Sequence, residues 1–512
     1  MKTSHKNDDA RHPNILFILT DQQRPDTLSC YGNDIGIMPN VDRLGREGVY
    51  FNNCYVQNPL CCPSRYSILT GRYPHCHGVL ANWYAPREGE TSFGHQLTRV
   101  GYRTGMIGKM HLTPWHDRFG FGGRIIAESK FHFQIPDDYE RFLKKHGKSR
   151  NELYDLESTE YIQNNTAVKS KLPQELHIDS FVGRATCEYL RHIEEPFCLF
   201  TSFLGPHNPY DPPEPYDTLY LNKSLQKRNM SPGEVQRKPR EAYDYINNRL
   251  KRPYKTDEMT DEQIHIMKAY YYANCTLIDD WIGQMLSMLK ERGLYENTVI
   301  VFTSDHGDLL GDHGLVYKQC FYEQSVKAPL IIHAPAFFSS GSSDAMVESM
   351  DLCNTFCDLG GAWPGEGRQG KSLLPLLRNA DKSAHHREAA FSENYFGRMV
   401  RYQDYKMVYY PGKPYGELYD LAAAPAEQNN LWDQLEGSSI KTTLKDLLLD
   451  WSFTSDDTLP LPVRPDHHDL SPLHLGMVAG HTEECPYQEW RFDHMPELYE
   501  TWEFPDTGIL RE

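Results

Sequence analysis

The sequence lacks any long hydrophobic run. Residues 1–13 are polar, and the apolar run at residues 15–19 is long enough for only one strand. Signal peptides and membrane-spanning helices need longer apolar segments than this. We therefore expect a soluble, cytoplasmic protein that does not enter a membrane. Its twelve cysteines are expected to be free thiols, because disulfides are uncommon in long chains without a secretion signal.

Positive charge is also scarce. The chain has 53 lysines and arginines against 70 acidic residues, which gives a formal net charge of -17, and no cluster of basic residues stands out. Such a chain repels nucleic acids and anionic membrane surfaces, so neither is an expected partner. An anionic substrate would be repelled as well, and a site for one must therefore gather its own cations.

Low-complexity segments and internal repeats are absent, and 512 residues exceed the usual size of one domain. Continuous apolar runs at residues 14–20 and 298–304 are each followed by an aspartate, Asp21 and Asp305. Such runs are typical of buried parallel strands. Because open α/β sheets bind their ligands at the carboxyl ends of the strands, we expect the two aspartates to lie in one site.

Two further apolar runs, at residues 196–203 and 329–333, are predicted strands. Apolar residues at helical spacing predict a long helix over residues 261–292, which ends before Gly293. The alternation of strands and helices predicts an α/β fold with a large, mixed and mainly parallel sheet flanked by helices.

The organisation changes near residue 385. Short strand-like stretches with turn residues between them predict a smaller C-terminal α+β domain with an antiparallel sheet over residues 385–512, after an N-terminal domain of residues 1–384. Residues 119–180 are rich in charged and aromatic side chains and have little periodicity, which predicts an insertion over the substrate side of the site. The tail beyond residue 460 is expected to pack on the body of the chain or on a neighbouring subunit, and both alternatives stay open.

The most specific segment is residues 61–72, which read CCPSRYSILTGR. It resembles the signature of the type I, formylglycine-dependent sulfatases of the alkaline phosphatase superfamily at every defining position. The resemblance implies an alkaline-phosphatase-like fold and a maturation enzyme that oxidises Cys61, and not Cys62, to formylglycine. The alternative is a reactive or metal-binding thiol pair at these two positions.

This resemblance also implies a reaction, the hydrolysis of a sulfate monoester. One hydroxyl of the hydrated formylglycine attacks sulfur, the alcohol leaves, and the second hydroxyl then expels sulfate from carbon. A hard divalent cation with oxygen ligands would lower the pKa of the attacking hydroxyl and offset the charge of the sulfate oxygens. One metal ion is therefore expected.

The ligands of this metal are expected from two segments that follow strands and from the oxidised Cys61. By resemblance they are Asp21 and Gln22 after the first strand, and Asp305 and His306 after the second. Gln22 stands where the family often has a second aspartate, and His306 where it often has asparagine. Calcium is expected, and the added nitrogen ligand leaves magnesium or manganese open.

Cations and proton donors should surround the sulfate, because each oxyanion partner contributes about 2.7–4 kcal/mol to transition-state stabilisation. Family elements occur in order along the chain, Gly-Lys-x-His at residues 108–111 and Pro-His-x-Pro at 206–209. The resemblance implies that His111 is the base for the second hydroxyl. Arg65 would hold the diol and the metal, and Lys109 would clamp the diol and sulfate. His207 and Lys318 would bind sulfate and protonate the leaving oxygen. Asn82 would contact the substrate anion.

Other functions remain open. A phosphonate monoester or phosphodiester hydrolase of the same superfamily is the nearest, although such enzymes tend to lack both Lys109 and His111. A two-zinc phosphatase would need a serine or threonine nucleophile, and a non-catalytic relative would be expected to have lost Cys61, Asp305 or His111. The resemblance implies a small-molecule or carbohydrate sulfate ester as the substrate. A carbohydrate is the first expectation, because aromatic side chains could stack on sugar rings, namely Trp83, Tyr84, Trp115, Phe131 and Phe133. The oligomeric state stays open.

Overall fold

The structure is a computed structural model that describes residues 12–130, 137–153, 158–235, 258–379, 381–382 and 384–455. The expectations for the C-terminal tail and for Phe131 and Phe133 lie outside these residues. Eleven cysteines fall within them, and all eleven are free thiols, as expected. Within the same residues, no helix has the length and apolarity needed to cross a membrane.

Twelve strands and twelve α-helices are formed by the described residues. The strands are β1 Asn14–Asp21, β2 Val49–Tyr55, β3 Arg103–Gly108, β4 Gly123–Ile126, β5 Phe197–Pro206, β6 Thr298–Ser304, β7 Leu330–His333, β8 Gly341–Glu348, β9 Ala389–Glu393, β10 Arg398–Tyr402, β11 Tyr405–Tyr409 and β12 Gly416–Asp420. The helices are α1 Pro39–Glu47, α2 Cys61–Thr70, α3 Pro74–His77, α4 Phe93–Arg99, α5 Asp138–Lys145, α6 Thr159–Gln163, α7 Ile178–His192, α8 Asp261–Glu291, α9 Glu323–Val326, α10 Asp351–Leu359, α11 Leu374–Arg378 and α12 Ser439–Thr454.

Eight strands form the main sheet in the order β4-β3-β5-β1-β6-β7-β2-β8. The pairs from β4 to β6 are parallel, β7 is antiparallel to both of its neighbours, and β2 and β8 are parallel to each other. The predicted mixed and mainly parallel α/β sheet is confirmed. Strands β1 and β6 are buried along their whole length, which explains why their sequences are continuously apolar.

The long predicted helix is confirmed as α8. The hydroxyl of Thr260 caps its N-terminus by accepting from the backbone N–H of Gln263, and the Gln263 side chain returns a bond to the N–H of Thr260. Gly293 follows the helix with a φ of 68°, a conformation that favours glycine. The apolar face of α8 packs in the same core as α7 and one face of the main sheet.

A separate sheet of four antiparallel strands, in the order β12-β11-β10-β9, begins at Ala389. Helix α12 packs on it through Leu444 and Trp451, in a core that also contains Tyr73 and Met350 from the N-terminal part of the chain. The predicted small antiparallel sheet is therefore present, and its core is continuous with side chains of the larger part.

Residues 119–180 differ from the expectation of a cover over the site. Strand β4 extends the main sheet by pairing with β3, and Ile125, Tyr139 and Phe142 are buried in the core. Helix α7 begins at Ile178. The sequence showed no period here because β4 has four residues and α5 has eight, which are too few to establish one.

Candidate active site

The predicted site residues converge because four neighbouring strands end at one edge of the main sheet. Strands β3, β5, β1 and β6 are adjacent and parallel. Lys109, His207 and Asp305 directly follow β3, β5 and β6, and Asp21 is the last residue of β1. Thr20 pairs with Ser304 just before the two aspartates, so Asp21 and Asp305 lie next to each other at this edge, as expected.

Gly108 brings β3 unusually close to β5 at this edge. Its φ is 97°, and a Cβ atom at this position would lie 1.9 Å from the carbonyl oxygen of Ser202. The backbone N–H of Lys109 donates to that same carbonyl at 3.0 Å. A side chain at residue 108 would therefore displace Lys109 from the site.

Four side chains form a compact cluster of ligand atoms. One ligand atom each from Asp21, Cys61, Asp305 and His306 lies within 4.8 Å of all the others, and all four residues are buried. Two carboxylates and an imidazole form a donor set that suits a divalent cation. These residues therefore fit the metal expected from the sequence.

Gln22 was also predicted to be a metal ligand. Its backbone N–H donates to Oδ1 of Asp305 at 3.0 Å, and its φ is 69°. Its amide oxygen accepts a hydrogen bond from Lys318, and its amide nitrogen donates to Asp308. The structure thus places Gln22 beside the cluster, with its side chain bonded to protein groups.

Cys61 is the first residue of helix α2 and is 1% exposed. Its sulfur lies 3.2 Å from Nε2 of His306 and 3.8 Å from Oδ1 of Asp21. Burial and Asp21 raise the pKa of the thiol, but Lys318, Lys109 and His306 outweigh them, and the pKa lies below its usual value. The surroundings of residue 61 therefore favour a negatively charged group.

Arg65 lies one turn further along α2 and joins the two aspartates. Its Nε donates to Asp305 Oδ2 at 2.7 Å, and its Nη2 donates to Asp21 Oδ2 at 2.9 Å. Its Nη1 donates to the hydroxyl of Ser202 at 2.8 Å and to the carbonyl of Lys109. The sequence did not predict the role of Ser202, since nothing in strand β5 marks it out from other buried residues.

Lys109 adds a second cation, with Nζ at 2.7 Å from Asp21 Oδ2. Burial alone would raise the pKa of Asp21, but the charges of Lys109, Arg65 and Lys318 hold it well below its ordinary range. Asp21 is therefore ionised at neutral pH. The site has gathered its own cations, as an anionic substrate of an acidic protein requires.

The two predicted histidines are both kept neutral. Burial and then the charges of Lys109 and Arg65 hold the pKa of His111 well below its usual value, and burial and Lys318 do the same for His207. Nδ1 of His111 is buried and has no hydrogen-bond partner among the described residues. A neutral imidazole with a free nitrogen can accept a proton.

Asn82 and Trp83 lie at the edge of this arrangement. The amide oxygen of Asn82 accepts from the backbone N–H of Cys62 at 3.1 Å, in the first turn of α2. The ring of Trp83 is 4.9 Å from the ring of His111 and meets it edge to face. Asn82 therefore lies next to the predicted nucleophile, and Trp83, which is 39% exposed, next to the predicted base.

The mixed sheet, with a cluster of possible metal ligands beside a buried cysteine at a helix N-terminus, fits a hydrolase of the alkaline phosphatase superfamily. Residues 13–362 match the family model described as Sulfatase, and residues 311–453 match the one described as N-sulphoglucosamine sulphohydrolase, C-terminal. The chain belongs to the sulfatase family and is a sulfuric ester hydrolase.

Curated relatives are similar over most of their length. An arylsulfatase of Clostridium perfringens is 30% identical over 448 residues, which cover 82% of this chain and 90% of the relative. An N-acetylglucosamine-6-O-sulfatase of Bacteroides thetaiotaomicron is 29% identical over 486 residues, which cover 86% of each.

Solved structures share the fold. A phosphonate monoester hydrolase of Agrobacterium radiobacter has a TM-score of 0.77 at 23% identity, over 88% of this chain and 100% of that one. A structure in complex with its substrate D-glucosamine-2-N,6-O-disulfate has a TM-score of 0.69 at 25% identity, over 88% of this chain and 99% of that one.

Proposed function

We propose that this chain hydrolyses a sulfate monoester with a formylglycine made from Cys61 and with one divalent metal ion. The observation that carries the proposal is the position of Cys61, which begins α2 within the ligand cluster of Asp21, Asp305 and His306. When bound, the cation would lower the pKa of the hydroxyl nucleophile and offset charge on the sulfate oxygens.

The remaining residues have separate roles in this proposal. Oxidised to formylglycine and hydrated, residue 61 supplies one hydroxyl that attacks sulfur and a second whose deprotonation expels sulfate. His111 accepts that second proton, which is supported by its unpaired Nδ1 and by a lowered pKa that leaves the ring neutral. Lys109, His207 and Lys318 bind the sulfate oxygens, and the last two assist the leaving oxygen, which requires His207 to be protonated when the anionic substrate is bound.

Arg65 and Asn82 act beside the nucleophile. Arg65 keeps Asp21 and Asp305 in place through its two charge-assisted hydrogen bonds. Asn82 contributes a polar contact near the substrate anion. We assign Asp21, Gln22, residue 61, Asp305 and His306 as metal ligands, which requires the amide oxygen of Gln22 to exchange its bond with Lys318 for the cation.

The chemistry of the site also indicates which metal and which substrate to test first. Calcium is the first metal to test, followed by magnesium and manganese, because the set contains carboxylates, an amide and one imidazole. A carbohydrate sulfate ester is the first substrate to test. It is supported by the relative named N-acetylglucosamine-6-O-sulfatase and by the exposed Trp83 beside His111.

A formylglycine-generating enzyme is the maturation partner in this proposal. The free thiols of the described cysteines support a reducing compartment such as the cytoplasm. We propose that residues 1–384 form the catalytic domain and that residues 385–512 form the smaller one, which is supported by the start of the second sheet at Ala389.

Hydrolysis of a phosphonate monoester or phosphodiester is the second candidate. The fold is shared with a phosphonate monoester hydrolase at a TM-score of 0.77. Lys109 and His111 favour sulfate, because the phosphonate and phosphodiester hydrolases that this chain resembles tend to lack both residues.

Peptide mass spectrometry tests the nucleophile. The chain is produced with and without a formylglycine-generating enzyme, and turnover of an aryl sulfate is compared with the converted fraction of residue 61. We expect turnover to rise in proportion to conversion, Cys61→Ala to abolish it and Cys30→Ala, away from the cluster, to leave it unchanged. Equal turnover of the unconverted chain would contradict the proposal.

A further inference from the structure

Two buried charged side chains outside the proposed machinery contact its two histidine segments. Glu128 and Lys130 follow strand β4 and are 7% and 3% exposed. Burial of a charge is costly unless the group is paired and hydrogen-bonded. Both side chains are paired, and each also makes hydrogen bonds to the backbone of a segment that carries a histidine.

Glu128 supports the segment of His111. One carboxylate oxygen accepts from the N–H of His111 at 2.9 Å, the other accepts from the N–H of Met110 at 3.2 Å, and Arg124 pairs with the carboxylate. His111 has a φ of 57°, in the left-handed region that non-glycine residues seldom adopt. The thiol of Cys62 donates to the carbonyl of His111 at 3.0 Å, so the backbone of this residue is held on both sides.

Lys130 makes the corresponding contacts with the segment of His207. Its ammonium group donates to the carbonyl oxygens of His207 and Pro209, each at 3.0 Å, and to the carboxylate of Asp211 at 2.6 Å. Asp211 is fully buried, so the ammonium group is the charge that balances it.

The backbone between Glu128 and Lys130 is itself held in place by buried charged side chains. Arg150 donates to the carbonyl of Ser129 at 3.0 Å and to both carboxylate oxygens of Asp137 at 2.7 Å. Asp137 in turn accepts from the N–H of Glu128 at 3.1 Å. Both Arg150 and Asp137 are buried, so solvent does not compete for these bonds.

We propose that Glu128 and Lys130 are positioning residues, which hold His111 and His207 in the orientation that the reaction needs. The inference rests on the proposed function for the roles of the two histidines. Each positioning residue acts through the backbone of its histidine, and a misplacement of about 1 Å in such a group can cost about 100-fold in rate.

Kinetics on aryl sulfates whose phenols differ in pKa separate the two roles. In converted, metal-loaded enzyme, Glu128→Gln can accept from only one of the two N–H groups. We expect it to lower kcat about tenfold or more, to a value common to all the phenols, and to leave kcat/KM near that of the wild type, because His111 acts after the phenol has left. Lys130→Met is expected to lower kcat/KM, and the loss should grow as the phenol becomes a poorer leaving group.

Two further variants keep this test decisive. Lys130→Met leaves the buried carboxylate of Asp211 without its cation. The double variant Lys130→Met/Asp211→Asn removes both charges, and it should show the same phenol-dependent loss of kcat/KM. Lys148→Met breaks an exposed ion pair with Glu152, at 2.9 Å, and should behave as wild type. Wild-type kinetics in the Glu128 and Lys130 variants, or equal losses of kcat and kcat/KM for every phenol that follow thermal stability, would overturn the inference. Absence of sulfate hydrolysis by the converted wild-type enzyme would overturn the proposed function instead.

Discussion

The sulfur of Cys61 lies 3.2 Å from Nε2 of His306, although 245 residues separate them in the sequence. Strand β6 delivers His306 to the edge of the main sheet, and α2 begins at the same edge with Cys61. The two side chains therefore meet because of the topology of the sheet, and the proposed nucleophile is part of the cluster proposed to bind the metal.

Removal of Arg65 should destabilise the protein and abolish activity. Arg65→Met leaves Asp21 and Asp305 buried without the guanidinium that both contact. Breaking a buried ion pair by removing one partner costs about 3–5 kcal/mol, so urea unfolding in the presence of a chelator should show a loss of that size. Arg103→Met removes an exposed partner of Glu194 and should have little effect. Similar losses of unfolding free energy in both variants would contradict the claim that Arg65 holds Asp21 and Asp305 in place.

Metal removal should lower both turnover and thermal stability. A ligand that binds only the folded state stabilises it by about 2.7 kcal/mol when present at 100 times its dissociation constant. We expect a chelator to lower Tm, and calcium, magnesium or manganese to restore it. Asp305→Asn should abolish this metal-dependent shift, while Asp312→Asn, whose carboxylate pairs with Arg24, should keep it. A shift retained in Asp305→Asn would place the metal elsewhere.

The strands that carry the site could be predicted from the sequence, because β1 and β6 are buried on both sides and read as continuous apolar runs ending at Asp21 and Asp305. The motif residues could be assigned by their resemblance to a family. The residues that hold these side chains in place could not be predicted. Ser202, Glu128 and Lys130 belong to no spaced pattern, and their contacts arise only when β3, β4 and β5 lie side by side. The antiparallel direction of β7 was equally hidden, since a four-residue apolar strand reads the same in both directions.

The contact between His75 and Glu393 should make stability depend on pH. Nδ1 of His75 lies 2.7 Å from Oε1 of Glu393, which joins α3 to strand β9. Burial lowers the pKa of His75, but its contacts with Cys76 and Glu393 outweigh this and raise the pKa to about 10 from its ordinary 6.5. The folded state therefore binds an additional proton between these values.

His75→Gln should accordingly cost more stability at pH 6 than at pH 10. The contribution is complete below pH 6.5 and is lost as pH rises toward 10, because the unfolded chain releases its proton first. A charge-assisted hydrogen bond of this kind contributes about 1.5–3 kcal/mol. Urea unfolding at the two pH values measures the difference, and His192→Gln, at an exposed pair with Glu188, is the control. Equal losses at both pH values would show that His75 is uncharged.

Gly108→Ala should reduce activity by displacing Lys109. The new Cβ would lie 1.9 Å from the Ser202 carbonyl, whereas Gly101, with a similar φ of 94°, has no atom within 4 Å of such a position. Gly101→Ala should therefore cost only the strain of a left-handed residue, about 1–2 kcal/mol. We expect Gly108→Ala to cost more stability and to lower kcat/KM for an aryl sulfate. Equal behaviour of the two variants in unfolding and turnover would contradict the close approach of β3 and β5.

The most direct test of the sulfate assignment is the ratio of kcat/KM for an aryl sulfate to kcat/KM for the matching aryl phosphonate monoester. It is measured on enzyme whose residue 61 is fully converted, and the same ratio is measured for Lys109→Met. We expect the wild-type ratio to favour sulfate strongly and the ratio to fall in the variant, since Lys109 contacts Asp21 beside the substrate position. A wild-type ratio that strongly favours phosphonate would contradict the account and place the chain among the phosphonate hydrolases in function.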